Sequence, residues 1–115
     1  MSIKPLIFVV MALFALETKA GTEEQLAAYR QQIDSLDQGI VKLIQERARV
    51  VEQIGQLKRE AHLPVIVPGR EQQVIEKVHE LAKEGPLPSE AVGRIYQKLV
   101  EEMRDWEAKF DTTKP

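Results

Sequence analysis

Arg30, Arg47 and Lys58 fall along one long amphipathic stretch, and Glu107 falls along another. Each lies on or beside an apolar seam. A cation on a buried stripe is costly unless an anion meets it. Three cations and one carboxyl group so placed describe a pocket built around a small polyanion. Arg47 and Lys58 are eleven positions apart. At about 100° per residue such positions nearly eclipse on a helix, so both point to one side, about three turns from each other. Arg30 precedes Arg47 by seventeen positions, ~25 Å along the axis of the same helix, so one small ligand cannot touch both Arg30 and Lys58 of a single straight helix. In an antiparallel pair of chains, Arg30 of one reaches the Arg47–Lys58 region of the other. Glu107 follows Met103 by four positions and borders the inner stripe of its own helix. Arg70-Glu71 opens a further helix, where N-terminal amides also favour an anion.

Taken singly, each of these residues has an ordinary explanation. A lone arginine or lysine on a long helix commonly snorkels, its stem on apolar neighbours and its charge in water. Glu107 alone would be a solvated helix-surface partner, with Arg104 or Lys109 supplying the opposite charge. Arg70-Glu71 alone would be helix-start electrostatics. His62 and His79 lack ligand spacing, and neither is read as metal-binding. Trp106 and Phe110 read as core. With no cysteine, and no serine–histidine set, nucleophilic catalysis has no candidates. The expected site therefore uses charge alone, with no metal and no cofactor.

The elements that must position these groups are helices. The chain has 115 residues, enough for one domain. Its first twenty residues read as a leader. Met1-Ser2-Ile3-Lys4 is a short positive start, Leu6–Leu16 is an uncharged apolar run, and Thr18-Lys19-Ala20 offers small residues before Gly21. This is the three-part pattern of a secretory signal peptide, so an exported protein is expected, periplasmic or secreted after cleavage near Ala20-Gly21. The competing reading is an N-terminal helix that stays. The run is shorter than the ~20 residues of a spanning helix, which argues against a stable membrane anchor. Without a cysteine after it, lipidation is excluded. The expected domain is 21–115. Removing Lys4, Glu17 and Lys19 takes the net charge from -2 to -3, and no basic block or aromatic platform is present, so nucleic acid is not an expected partner.

Thr22-Glu23-Glu24-Gln25 reads as a capping box opening the first helix. Leu26, Tyr29, Ile33, Leu36, Ile40, Leu43, Val50, Ile54 and Leu57 then recur in steps of three and four to about Glu60, with Arg47 filling one slot. Such a helix is ~58 Å long. No single chain of this size covers its seam, and the cheapest cover is a second copy. The segment His62–Gly69 carries two prolines and reads as extended or looped. A second helix runs from Pro68 or Gly69 to Glu84, with Val74, Ile75, Val78, Leu81 and Ala82 inward and Gly85-Pro86 as its stop. Ser89 is expected to cap a third helix whose apolar positions are Val92, Ile95, Tyr96, Leu99, Met103, Trp106 and Phe110. Asp111–Pro115 is expected to fray. The fold class is all-α, a three-helix chain.

Several spaced motifs resemble one family. Arg30-Gln31-Gln32-Ile33-Asp34-Ser35-Leu36-Asp37, Leu43-Ile44-Gln45-Glu46-Arg47 and Ile54-Gly55-Gln56-Leu57-Lys58 are similar to the long first helix of the all-α chorismate mutases. Pro64-Val65, Arg70-Glu71 and Gly85-Pro86-Leu87-Pro88 continue the resemblance, which covers about Glu23 to Phe110. It implies an intertwined helical homodimer with two sites for chorismate. Arg47 and the second chain's Arg30 would hold the substrate carboxylates. Lys58 would reach a carboxylate and the ether oxygen, and Glu71 would accept from the ring hydroxyl, with Arg70 supporting the helix start. Glu107 would meet the ether oxygen from the other side.

Three positions depart from the family's common pattern. Glu107 stands where bacterial members commonly carry glutamine. Val67 stands at a loop position that is often aspartate, and Met103 at one that often carries serine. Methionine cannot donate the serine's hydrogen bond. The implied reaction is the rearrangement of chorismate to prephenate, an intramolecular isomerisation. Two alternatives stand beside it: an isochorismate-pyruvate lyase on the same fold, and an exported helical dimer that binds without catalysis.

Overall fold

No proline lies between Leu6 and Glu60, so nothing local forces a helix to stop. A computed structural model describes residues 4–111, with side-chain surroundings for 21–111. Helix α1 spans Lys4–Glu60, 57 residues. The expected start at Thr22 is therefore corrected. A capping box ends a helix only where the preceding residue leaves helical geometry, and Gly21 weakens a helix by only about 1 kcal/mol. Residues 1–3 of the expected leader lie outside the described residues, and 4–20 are helical. Among the described residues no helix is long and apolar enough to cross a membrane.

The end of α1 is sharply defined. The Leu63 amide donates to the Lys58 carbonyl at 2.7 Å and the His62 amide to the Arg59 carbonyl at 3.2 Å. This pair of bonds is a Schellman motif, which needs a left-handed residue at His62. His62 takes that conformation at φ 57, where glycine is the usual occupant. Helix α2 spans Arg70–Leu81 and continues as a 3-10 turn, Ala82–Glu84. Gly69, at φ 85, supplies the left-handed residue that turns the loop into α2. Helix α3 spans Ser89–Glu107 and ends in a 3-10 turn, Ala108–Phe110. Pro88, not Ser89, is its cap, and the Pro88 carbonyl accepts from Ala91 at 3.0 Å and Val92 at 3.1 Å. Proline's fixed φ presets that entry, so the serine becomes the first helical residue. Asp111 is extended, and the rest of the expected frayed tail lies outside the described residues. The described residues thus form three helices and no strand.

The chain divides into two units, Met1–Ile44 and Gln45–Pro115. In the first, the described side chains belong to α1 alone. Leu26, Tyr29, Ile33, Leu36, Ile40, Val41 and Leu43 are all exposed, Leu36 at 65%. The second unit holds the end of α1 with α2 and α3. Val65, Val100 and Met103 are its buried hydrophobic residues. Gly93 lets α3 approach α2 closely, since a Cβ there would overlap the His79 ring.

One expectation about the core is corrected in this unit. Leu81 and Ile95 are exposed, whereas Val65 and Val100, absent from the expected core, are buried. The face of α1 that packs within the unit is not the apolar seam. Arg47, Ala48, Val51, Gly55 and Lys58 are buried or half-buried, while Val50, Ile54 and Leu57 are exposed. The intrachain contact uses a stripe rotated away from the apolar seam.

Candidate active site

That rotated stripe, with Ile54 at the edge of the seam beside it, builds one wall of an open cleft of about 630 Å³. Arg47, Val51, Ile54 and Lys58 come from α1, and Val100, Met103, Arg104 and Glu107 from α3. The loop from Val65 to Gly69 and the first turns of α2, with Arg70 and Glu71, close the remaining side. All of these residues belong to the second unit.

Lys58 sits in the last turn of α1, where a cation complements the helix dipole. Its Nζ donates to the Val65 carbonyl at 2.5 Å and faces Glu107 Oε1 at 3.6 Å. Both side chains are mostly buried, 20% and 15% exposed. The Schellman turn makes this geometry possible by folding the chain back so that Val65 meets a lysine seven positions earlier. Glu107 ends α3 and lies over Gly55, whose missing side chain leaves room; a Cβ there would stand 3.7 Å from Glu107 Cγ. Glu107 Oε1 is buried and accepts no hydrogen bond within the described residues. A buried polar atom left in this way is costly, and a ligand group that bonds it removes the cost.

Arg47 is held without a carboxylate. Its Nη1 donates to Met103 Sδ at 2.7 Å, and its guanidinium lies over the Tyr96 ring, 5.8 Å from the centroid. Among the described residues it makes no ion pair. A cation fixed by a thioether and a ring face keeps most of its donors for an anion. Met103 cannot donate, but it accepts from the arginine instead.

Glu71, in the first turn of α2, takes both its oxygens to Arg104 Nη1, at 3.4 and 3.2 Å. The Glu71 carboxylate, and after it Asp105, pushes Arg104 further toward its charged form than usual, against the opposing effect of burial. Arg70 begins α2 and is exposed; its amide donates to the Val67 carbonyl at 3.3 Å. Val67 is 52% exposed at the cleft's edge. The cleft therefore brings together Arg47, Lys58, Val67, Arg70, Glu71, Met103 and Glu107. Arg30 belongs to the other unit, where it is exposed.

Sequence reasoning placed Arg104 beside Glu107 as a neighbouring charge and missed its bond to Glu71. The available signal was its spacing, four positions after Val100, which puts it on the flank of the buried stripe. Tyr96, expected as an apolar core position, also supports Arg47 with its ring.

Arg47, Lys58 and the buried Glu107 carboxyl group thus line one cleft between the helices of an all-α protein. The chain belongs to the type II chorismate mutase family, whose model matches residues 29–108. It is similar to the bifunctional chorismate mutase/prephenate dehydratase of Aquifex aeolicus, with 41% identity over 51 residues, 44% of this chain and 14% of that protein. It is similar also to the chorismate mutase of Methanocaldococcus jannaschii, with 35% identity over 51 residues, 44% of this chain and 52% of that protein. The matches thus span from about a seventh to half of these relatives' lengths. Among solved structures, Form II of the chorismate mutase from Thermus thermophilus superposes with a TM-score of 0.68 at 28% identity, covering 76% of this chain and 99% of that one.

Proposed function

We propose that the protein is a chorismate mutase, converting chorismate to prephenate by an intramolecular Claisen rearrangement. Within one molecule the ether carbon–oxygen bond breaks as a carbon–carbon bond forms, so no group leaves and no external proton is required. Catalysis then consists of holding a flexible dianion in its reactive shape and stabilising charge on the departing oxygen. Arg47 grips one carboxylate. Lys58 meets the ether oxygen, Glu71 accepts from the ring hydroxyl, and Arg70 and the Val67 backbone line the entrance. Met103 orients Arg47. The observation that carries this reading is the Lys58–Glu107 pair at 3.6 Å, with Glu107 Oε1 buried and free of hydrogen bonds. A carboxyl group donates only in its acid form, so Glu107 assists the ether oxygen when protonated.

The second carboxylate needs another cation. Arg30 from a second copy fills that role in an intertwined homodimer. The exposed apolar stripe of the first unit and the exposed Val50, Ile54 and Leu57 of the second supply surfaces for such a partner. The leader pattern in residues 1–20 supports export, with residues 21–115 acting in the periplasm or outside the cell. Mass spectrometry of the protein recovered from an expressing cell, giving an N-terminus at Gly21, tests that step.

The activity is tested by following the loss of chorismate's ultraviolet absorbance and identifying the product. Prephenate supports the mutase. Salicylate and pyruvate formed from isochorismate would assign the lyase reaction instead. Binding of chorismate with neither product would leave a non-catalytic dimer.

A further inference from the structure

The Arg104–Glu71 bridge has no place in the catalytic scheme above, although both residues line the cleft. They stand 33 positions apart and tie the flank of α3 to the first turn of α2. One nitrogen, Arg104 Nη1, serves both carboxylate oxygens. The opposite edge of the guanidinium is held by Asp105, whose Oδ1 accepts from Nε and from Nη2 at 3.3 Å each. The planar fork is thus gripped along one edge and presents the other to Glu71.

One consequence follows for a site that binds a hydroxyl. A carboxylate offers about four lone-pair positions, so Glu71 keeps acceptor capacity for a hydroxyl while Arg104 fixes its direction. The pair is about one-third exposed, so its direct contribution to folding is small. Its effect falls on where Glu71 points. We propose that Arg104 is a positioning residue for Glu71 and thereby sets recognition of the substrate's ring hydroxyl. This rests on the chorismate mutase reading and deepens it.

The test compares chorismate with an analogue carrying hydrogen in place of the ring hydroxyl. Arg104→Met keeps the stem of the side chain and removes the fork. It should lower kcat/KM for chorismate about tenfold, mainly through KM, the size expected for a lost hydrogen bond to a charged group. The analogue should change less than about twofold, because it never used Glu71. Arg104→Lys should recover part of the loss. Combining Arg104→Met with Glu71→Gln should be no worse than Glu71→Gln alone, since both act through one contact. Equal losses on both substrates, or effects that multiply in the double variant, would overturn the assignment. Should Arg104→Met not fold, the two substrates compared on Arg104→Lys give the same reading. A wild type that rearranges neither compound overturns the mutase function itself. An active wild type with no substrate-dependent effect overturns only the role of Arg104.

Discussion

In the unit Met1–Ile44, the apolar stripe of α1 from Leu26 to Leu43 is exposed. In the unit Gln45–Pro115, α1 carries two distinct faces. Arg47, Val51, Gly55 and Lys58 turn toward α3 and the loop, while Val50, Ile54 and Leu57 remain exposed. Among the described residues the first unit thus leaves an apolar surface uncovered, and the second holds the cleft that Arg30 of a second copy is proposed to complete. The difference teaches that apolar period and site geometry are separate messages written on one helix. The period marks the exposed seam that the proposed second chain would cover. The site lies beside it, where a glycine, two cations and small residues admit α3.

The largest effect should come from the seam. Ile33→Glu combined with Leu36→Glu places two charges in the stripe of the first unit. Burying each original side chain is worth roughly 1.5–3 kcal/mol, so the proposed dimer should weaken by about 10³-fold or more. Sedimentation should show monomers and the absorbance assay should show no turnover. A double variant that remains dimeric and active would break the comparison, because the seam would then need no cover.

Next in size is the site itself. Lys58→Ala should cost ~10²–10³ in kcat, as loss of a donor aimed at developing negative charge does. Arg30→Ala should lower kcat/KM strongly while leaving the Lys58 contacts in place. Mixing the two variants after unfolding and refolding sharpens the contrast. If sites are shared between chains, mixed dimers carry one intact site, and activity should return to roughly a quarter of wild type. No recovery would mean that Arg30 serves its own chain or none.

A smaller effect is expected from pH. Only the acid form of a carboxyl group donates, so a mechanism that uses Glu107 as a donor requires kcat/KM to rise as pH falls. Glu107→Gln donates at every pH and should flatten the profile. Among the described residues, the charged group paired with this carboxyl group is Lys58, at 3.6 Å. Equally flat profiles for both proteins would leave Glu107 in a purely structural role.

Much of this was legible in the sequence because helical period is a local property. The steps of three and four from Leu26 to Leu57 announced a long helix, and eleven-residue spacing aligned Arg47 with Lys58. Both side chains do line the cleft. What escaped depends on neighbours. Thr22 and Ser89 had the composition of caps, yet α1 continued through one and Pro88 supplied the other. Cap chemistry offers an end to a helix but does not impose one. The Arg47–Met103 and Arg104–Glu71 bonds join elements far apart in the chain, so the angle at which α2 and α3 meet decides them. Val100 escaped because its neighbour Leu99 already filled the expected period.

The smallest effect concerns His62, where the second unit's site depends on a single backbone angle. The left-handed conformation at φ 57 costs an ordinary residue roughly 1–2 kcal/mol. Glycine removes that cost but loses more freedom on folding, about 0.5–1 kcal/mol. His62→Gly should therefore stabilise the protein by about 0.5 kcal/mol, read as a modest rise in Tm. Catalysis should not change, because Lys58 keeps both of its fastenings, the Leu63 amide on its carbonyl and the Val65 carbonyl on its ammonium. His62→Val crowds the same angle with a branched side chain and should do the opposite. Its loss of stability should come with a loss of rate, since a turn that cannot form no longer brings Val65 to Lys58. Two substitutions at one exposed position, moving stability in opposite directions and rate in only one, would separate the turn's role from the histidine's own chemistry. If glycine lowers the rate as much as valine does, the imidazole itself takes part, and the turn is not what holds Lys58 in place.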